Sequence, residues 1–174
     1  MEIILYVIRG SNYIIDNDGL LKKIHLEEEM EFFNELTKNN ACVIGKNTSK
    51  VINQKFMAST DRDLFVLRHK QKAPDPGARV FYKDSIMKLL SCVEQKGHNK
   101  VFIIGGENIF NQFLEEKFVL LDKIIIVEIN ELFHGTKFFL PLDEEKWKKK
   151  KMIRECLKGR KNSHSFKIFE YTRS

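Results

Sequence analysis

The chain has few residues of the kinds that staple, punctuate or span. Its three cysteines, Cys42, Cys92 and Cys156, are odd in number, far apart and without a CxxC pair. That argues against a disulfide framework and against a zinc or other metal site, and it suits a reducing, cytoplasmic home. Three prolines and nine glycines in 174 residues exclude collagen-like or proline-rich sequence. No apolar run approaches the ~20 residues of a membrane-spanning helix, so no membrane association is expected. The first ten residues, MEIILYVIRG, carry an apolar run with no basic segment before it and no small-residue cleavage site after it. They read as a buried strand rather than a signal peptide. What is present is ordinary for a soluble globular protein: 43% hydrophobic and 31% charged residues, in a length that suits one domain, 1–174. The net charge of +6 serves solubility or attracts an anionic ligand. The four lysines Lys148–Lys151 follow Trp147 without the interleaved aromatics or recognisable module that nucleic-acid binding needs. They read as a solvated strand edge.

Apolar, β-rich runs recur at Ile3–Ile8, Ala41–Ile44, Leu64–Leu67, Val101–Ile104, Lys123–Ile129 and Phe166–Tyr171. Most are continuous rather than alternating, as in strands buried on both faces. Helical periodicity fills Leu26–Thr37, Lys83–Gln95 and Glu107–Leu114. The order predicts an α/β domain with a mostly parallel sheet covered by helices. The last strands follow one another with no helix between, which predicts an antiparallel C-terminal hairpin. Ala73–Gly77 is a turn cluster, and no repeat or interdomain linker is visible.

Two features carry chemistry. On the helix Leu26–Thr37, Leu26, Met30, Phe33 and Leu36 share an apolar stripe, and Glu29 projects into it. A carboxylate aimed at a core needs a partner. It is either a structural ion pair or a pocket acid, its pKa raised by burial, that binds a cationic or amide-bearing ligand. The second feature is Gly105-Gly106, between a buried strand and the helix that starts at Glu107. Glycine admits close backbone approach, and the helix N-terminus offers N–H groups to an anion. Ala41–Ile44 likewise runs into Gly45-Lys46-Asn47-Thr48. Neither GxxxxGK[ST] nor GxGxxG spacing occurs. Two such strand ends suggest an extended, phosphate-rich ligand such as a dinucleotide bound at the carboxyl ends of strands.

In this order, over nearly the whole chain, the pieces resemble the dihydrofolate reductase family. Ala41–Thr48 resembles its strand ending in Gly-Arg/Lys-x-Thr, and Phe102–Phe110 its Gly-Gly strand and helix. Gly135–Phe139 resembles its Asp-Thr-x-Phe-Pro segment, and Asn162–Phe166 leading to Phe169-Glu170 its final strand. The resemblance implies an eight-stranded, mostly parallel sheet with an antiparallel C-terminal strand and about four flanking helices. It also implies an adenosine-binding subdomain near residues 41–98. The implied activity is NADPH-dependent reduction of 7,8-dihydrofolate to 5,6,7,8-tetrahydrofolate by a monomer that binds no nucleic acid. The alternatives are a pyrimidine or pterin reductase on the same fold and a non-catalytic folate- or nucleotide-binding paralogue.

The resemblance also implies roles. Glu29 is the pocket acid that holds the pterin's amidine-like edge and promotes protonation of its ring nitrogen, and Thr136 hydrogen-bonds Glu29. Arg62 meets the carboxylate of the substrate's glutamate tail, or else forms a local ion pair with Asp61 or Asp63. Tyr6, Val7, Met30, Phe33, Ile52, Phe56, Ile104 and Phe110 line the substrate pocket. Val7, Ile14, Gly45, Lys46, Asn47, Thr48, Gly105, Gly106, Glu107, Asn108, Ile109 and Phe110 bind the cofactor, with Leu67, Arg68 and His69 near its adenosine ribose. A cis peptide is expected at Gly105-Gly106. Three departures stand out. Gly19–Lys23 replaces the family's Gly-x-Leu-Pro-Trp, Phe110 stands where many bacterial members have Tyr, and Tyr6 stands where a small residue is usual.

Overall fold

Ala41–Ile44, Phe65, Val66 and Val101–Ile103 have no exposed surface at all, and that burial shapes the first half of the sheet. The computed structural model describes residues 1–15, 24–51, 61–68, 79–115, 121–139, 141–147 and 149–173. Among them the elements run β1 (Glu2–Gly10), α1 (Glu27–Thr37), β2 (Ala41–Gly45), α2 (Lys46–Val51), β3 (Asp63–Leu67) and β4 (Val80–Lys83). Then come α3 (Ile86–Gln95), β5 (Lys100–Gly105), α4 (Glu107–Glu115), β6 (Lys123–Ile129), β7 (Lys149–Cys156) and β8 (Phe166–Thr172). The strands form one eight-stranded sheet in the order β4-β3-β2-β5-β1-β6-β8-β7. β2 is parallel to β3 and to β5, and β3 is parallel to β4. β8 is antiparallel to both β6 and β7. The α/β class and the antiparallel C-terminal hairpin are those expected from the sequence.

Two compact units divide the chain. The first comprises Met1–Ile4 and Thr37–Leu120. In it, all five positions of β2 and of β3 are buried, so neither strand shows a polar face. Helix α3 buries Ile86, Leu89, Leu90 and Val93, an i, i+3, i+4, i+7 stripe. Ser85 caps it, its hydroxyl accepting from the Lys88 N–H, so the helix starts three residues after the Lys83 expected from periodicity. Lys83 itself closes β4, a four-residue edge strand with only Val80 fully buried, whose pattern is too short to read from sequence.

The second unit comprises Leu5–Leu36 and Leu121–Ser174. Ile124–Val127 of β6 are buried, and β8 buries Phe166 and Ile168 between exposed or half-exposed neighbours. β7 is an edge strand that opens on Lys149, Lys150 and Lys151, with a register shift between Met152 and Arg154, and Lys148 lies outside the described residues. Cationic side chains and a bulge both discourage pairing with another sheet. Helix α1 opens with Glu27, Glu28 and Glu29, which complement its dipole. Its inward face is rotated from the expected stripe. Glu29 and Thr37 are buried, Phe33 and Leu36 are partly buried, and Met30 is 53% exposed. Consecutive helical residues lie 100° apart, so with Glu29 turned inward Met30 falls at the margin of the buried face.

Candidate functional site

In the second unit, β1 and α1 bring two polar side chains together in an apolar setting. Tyr6 is 3% exposed and Glu29 8%. The Tyr6 hydroxyl donates to Glu29 Oε1 at 2.6 Å. Its ring lies 5.1 Å, centroid to centroid, from that of Phe33 and 6.5 Å from that of Phe32. Burial pushes the Glu29 carboxyl from 4.5 up to about 7, against the opposing pull of the Tyr6 hydrogen bond. Burial, and then the neighbouring carboxylate, raises the Tyr6 phenol well above its ordinary value. The proton between them therefore stays on Tyr6. Near neutral pH, Glu29 exists as both acid and carboxylate, so it can accept N–H donors from a ring edge and exchange a proton. Thr136 is exposed, and no hydrogen bond joins it to Glu29, so the expected Thr136–Glu29 pair is replaced by Tyr6–Glu29. Val7 and Ile14 are buried, and Ile14 bridges Phe138.

The Gly-Gly turn belongs to the first unit. Gly105 adopts φ 131°, open to glycine, and the Gly105-Gly106 peptide is cis, as the resemblance implies. A Cβ on Gly45 would meet Ile109 Cγ1 at 2.7 Å, and one on Gly106 would meet Thr48 Oγ1 at 3.3 Å. The ends of β2 and β5 and the first turn of α4 thus approach as closely as bare backbone allows. Ile109 and Phe110 donate their N–H groups to the Gly106 carbonyl at 2.9 and 3.0 Å, which starts α4 tightly. Lys46, Asn47 and Asn108 are exposed here, and Thr48 and Glu107 are half-buried. Backbone glycines, a cation, amides, a hydroxyl and a helix N-terminus are a donor set that fits a dinucleotide's phosphates. Leu67 is buried, Arg68 lies over the Tyr82 ring at 5.6 Å, Ile104 is half-buried and Phe110 is 3% exposed. Ile52, Phe56, His69 and the Gly19–Lys23 segment lie outside the described residues.

Arg62, also of the first unit, is 5% exposed. Its Nε and Nη2 donate to the Asp61 carboxylate at 2.8 and 3.2 Å, and its Nη1 donates to Thr37 Oγ1 at 2.7 Å. The local ion pair is therefore present, with Asp61 and not Asp63. Asp63 instead takes Arg79 Nε at 2.6 Å and His98 Nε2 at 2.7 Å. Burial alone would raise the Asp63 carboxyl, but the bonds from Arg79 and His98 outweigh it and hold the group below its usual range. Sequence reasoning missed Thr37 and His98, which reach their partners across 25 and 35 residues. The Tyr6–Glu29 bond had a signal. A tyrosine inside an apolar strand and an acid inside an apolar helix face each require a polar partner.

A family model described as dihydrofolate reductase matches residues 2–173. The chain is 28% identical over 147 residues to the dihydrofolate reductase of Gallus gallus, covering 79% of this chain and 77% of that one. It is 23% identical over 174 residues to that of Staphylococcus haemolyticus, covering 99% and 96%. Among solved structures it resembles dihydrofolate reductase from Enterococcus faecalis complexed with NADP(H) and RAB-propyl, with a TM-score of 0.77 and 22% identity over 99% and 96% of the two chains. At that identity the likeness is one of fold.

Proposed function

The chain belongs to the dihydrofolate reductase family, and on that premise we propose that it reduces 7,8-dihydrofolate to 5,6,7,8-tetrahydrofolate with NADPH, using Glu29 as its pocket acid. The observation that carries this reading is the burial of Glu29, the one acid of α1 that is buried. When bound, NADPH supplies the hydride. Glu29 accepts the N–H groups of the pterin's amidine-like edge and promotes the arrival of a solvent proton on the ring nitrogen beside the reduced carbon. Phe33 and the exposed Met30 supply apolar cover for the ring. Arg62, held by Asp61 and Thr37, meets the carboxylate of the glutamate tail.

Gly45, Gly105 and Gly106 let the backbone approach the cofactor's phosphates, and Asn47, Thr48 and the first turn of α4 bind them. Lys46 and Arg68 answer the 2′-phosphate that separates NADPH from NADH. Among the described residues no helix is long and apolar enough to cross a membrane. All three cysteines are free, and burial pushes the Cys42 thiol up to about 12, which keeps it inert. These points support a cytoplasmic protein, and the lysine-rich edge of β7 supports a monomer.

The test is the oxidation of NADPH by the purified chain, followed by absorbance with and without dihydrofolate. Oxidation that depends on dihydrofolate supports the proposal. Oxidation independent of it, or none, removes it.

A further inference from the structure

The family's reaction accounts for Glu29 but not for the tyrosine bonded to it. Tyr6 stands on β1 where the family usually keeps a small residue, so its hydroxyl reaches a carboxylate that a smaller side chain could not touch. The bond is short, 2.6 Å, and both residues are buried. The Tyr6 ring is fixed by Phe32 and Phe33, so the hydroxyl cannot swing to solvent without unpacking that aromatic contact. We propose that Tyr6 is a positioning residue for the reaction, its hydroxyl favouring the charged form of Glu29 and fixing it in one orientation toward the substrate's N–H edge. The proposal rests on the reductase reading above.

A carboxylate offers about four acceptor sites on two oxygens. Tyr6 engages one site on Oε1, which stops the group from rotating, and leaves Oε2 and the rest of Oε1 for the two N–H donors of a pterin edge. A buried anion is stabilised by a fixed donor. The other polar and charged groups packed about α1 are engaged elsewhere. Asn162 Nδ2, between β7 and β8, donates to the Glu28 carboxylate. The Arg154 guanidinium of β7 lies over the Phe32 ring at 5.4 Å. Lys161 pairs with Glu31 at 3.5 Å and Glu27 at 3.9 Å. Among the described residues, Tyr6 is the donor that reaches Glu29. The phenol's own raised pKa means that it donates a hydrogen bond without giving up the proton.

The experiment replaces the hydroxyl and keeps the ring. Wild type and Tyr6→Phe are labelled with 13C-carboxyl glutamate, the Glu29 signal is assigned by its loss in Glu29→Gln, and the free enzyme is titrated by NMR. A hydrogen bond to a charged group is worth enough to move the Glu29 midpoint upward by about one to two pH units. Dihydrofolate affinity, measured on the same proteins by fluorescence quenching, should fall about fivefold to fiftyfold at pH 7 in Tyr6→Phe. The loss should recover as pH rises and Glu29 ionises without help. A midpoint unchanged in Tyr6→Phe, or an affinity loss of equal size at every pH, overturns the proposal, since a merely structural tyrosine would behave so. The titration needs no substrate. Failure of the reductase reading, seen as absent dihydrofolate-dependent NADPH oxidation by the wild type, is therefore distinguishable from failure of the Tyr6 assignment.

Discussion

Glu29 holds two opposed requirements in one side chain. Its folded-state pKa of about 7 lies above the ordinary 4.5. The folded protein therefore binds this proton more tightly than the unfolded chain does, and the associated stability is present below about pH 4.5 and lost as pH rises through 7. The rise corresponds to roughly 3 kcal/mol. Glu29→Gln removes the ionisation while keeping shape and hydrogen-bonding capacity. At pH 8 we expect the variant to melt above the wild type, and at pH 4 to melt with it, as scanning calorimetry across that range would read. A variant less stable at pH 8 would mean that Glu29 is a structural ion-pair member. The position of Glu29 was legible from 100° periodicity alone, since no other acid of the helix falls inside the stripe. That Glu29 and Tyr6 each need a polar partner was legible too, but their pairing with one another was not, because the family pattern pointed to Thr136, and only the backbone path of β1 brings Tyr6 to the carboxylate.

At the scale of elements, the buried strands announced themselves by continuous apolar runs, and β4 did not, because one buried residue in four gives no period. The β2–α2 and β5–α4 junctions were legible as glycines placed between strand and helix. Their closeness was not, because it depends on which side chains face the glycines. Gly45→Ala puts a methyl 2.7 Å from Ile109 Cγ1. Such overpacking costs typically 1–3 kcal/mol, and it should raise the KM for NADPH more than that for dihydrofolate. Equal changes in both would show that the junction does not serve the cofactor. The Asp63–His98–Arg79 cluster joins the start of β3 to the turn after α3 and to residue 79. Because Asp63 is held below its ordinary range, its contribution is present above about pH 4 and lost as pH falls. Asp63→Asn should therefore lower Tm at pH 7 by more than at pH 3. A Tm difference independent of pH would remove the carboxylate from that role.

For the whole molecule, the charge of +6 matters through its distribution. Exposed Lys46 and half-buried Arg68 belong to the unit that contains the glycine cradle. NADPH carries about two more negative charges than NADH, and charge-assisted contacts to phosphate are worth roughly 1.5–3 kcal/mol each. Lys46→Ala with Arg68→Ala should raise the KM for NADPH at least tenfold and leave that for NADH nearly unchanged. The same preference should weaken as ionic strength rises, because exposed charges are screened over about 8–10 Å at physiological salt. Equal loss for both cofactors would mean that these residues do not read the 2′-phosphate.

The central claim is that Glu29 serves the reduction of dihydrofolate and not the fold. The most direct measurement compares dihydrofolate-dependent NADPH oxidation by wild type and Glu29→Gln at pH 7, with NADPH binding to both followed by fluorescence. The wild type should turn over, the variant should show a kcat/KM for dihydrofolate lowered by at least a hundredfold, and NADPH affinity should be unchanged. A Glu29→Gln protein that reduces dihydrofolate as fast as the wild type would contradict it.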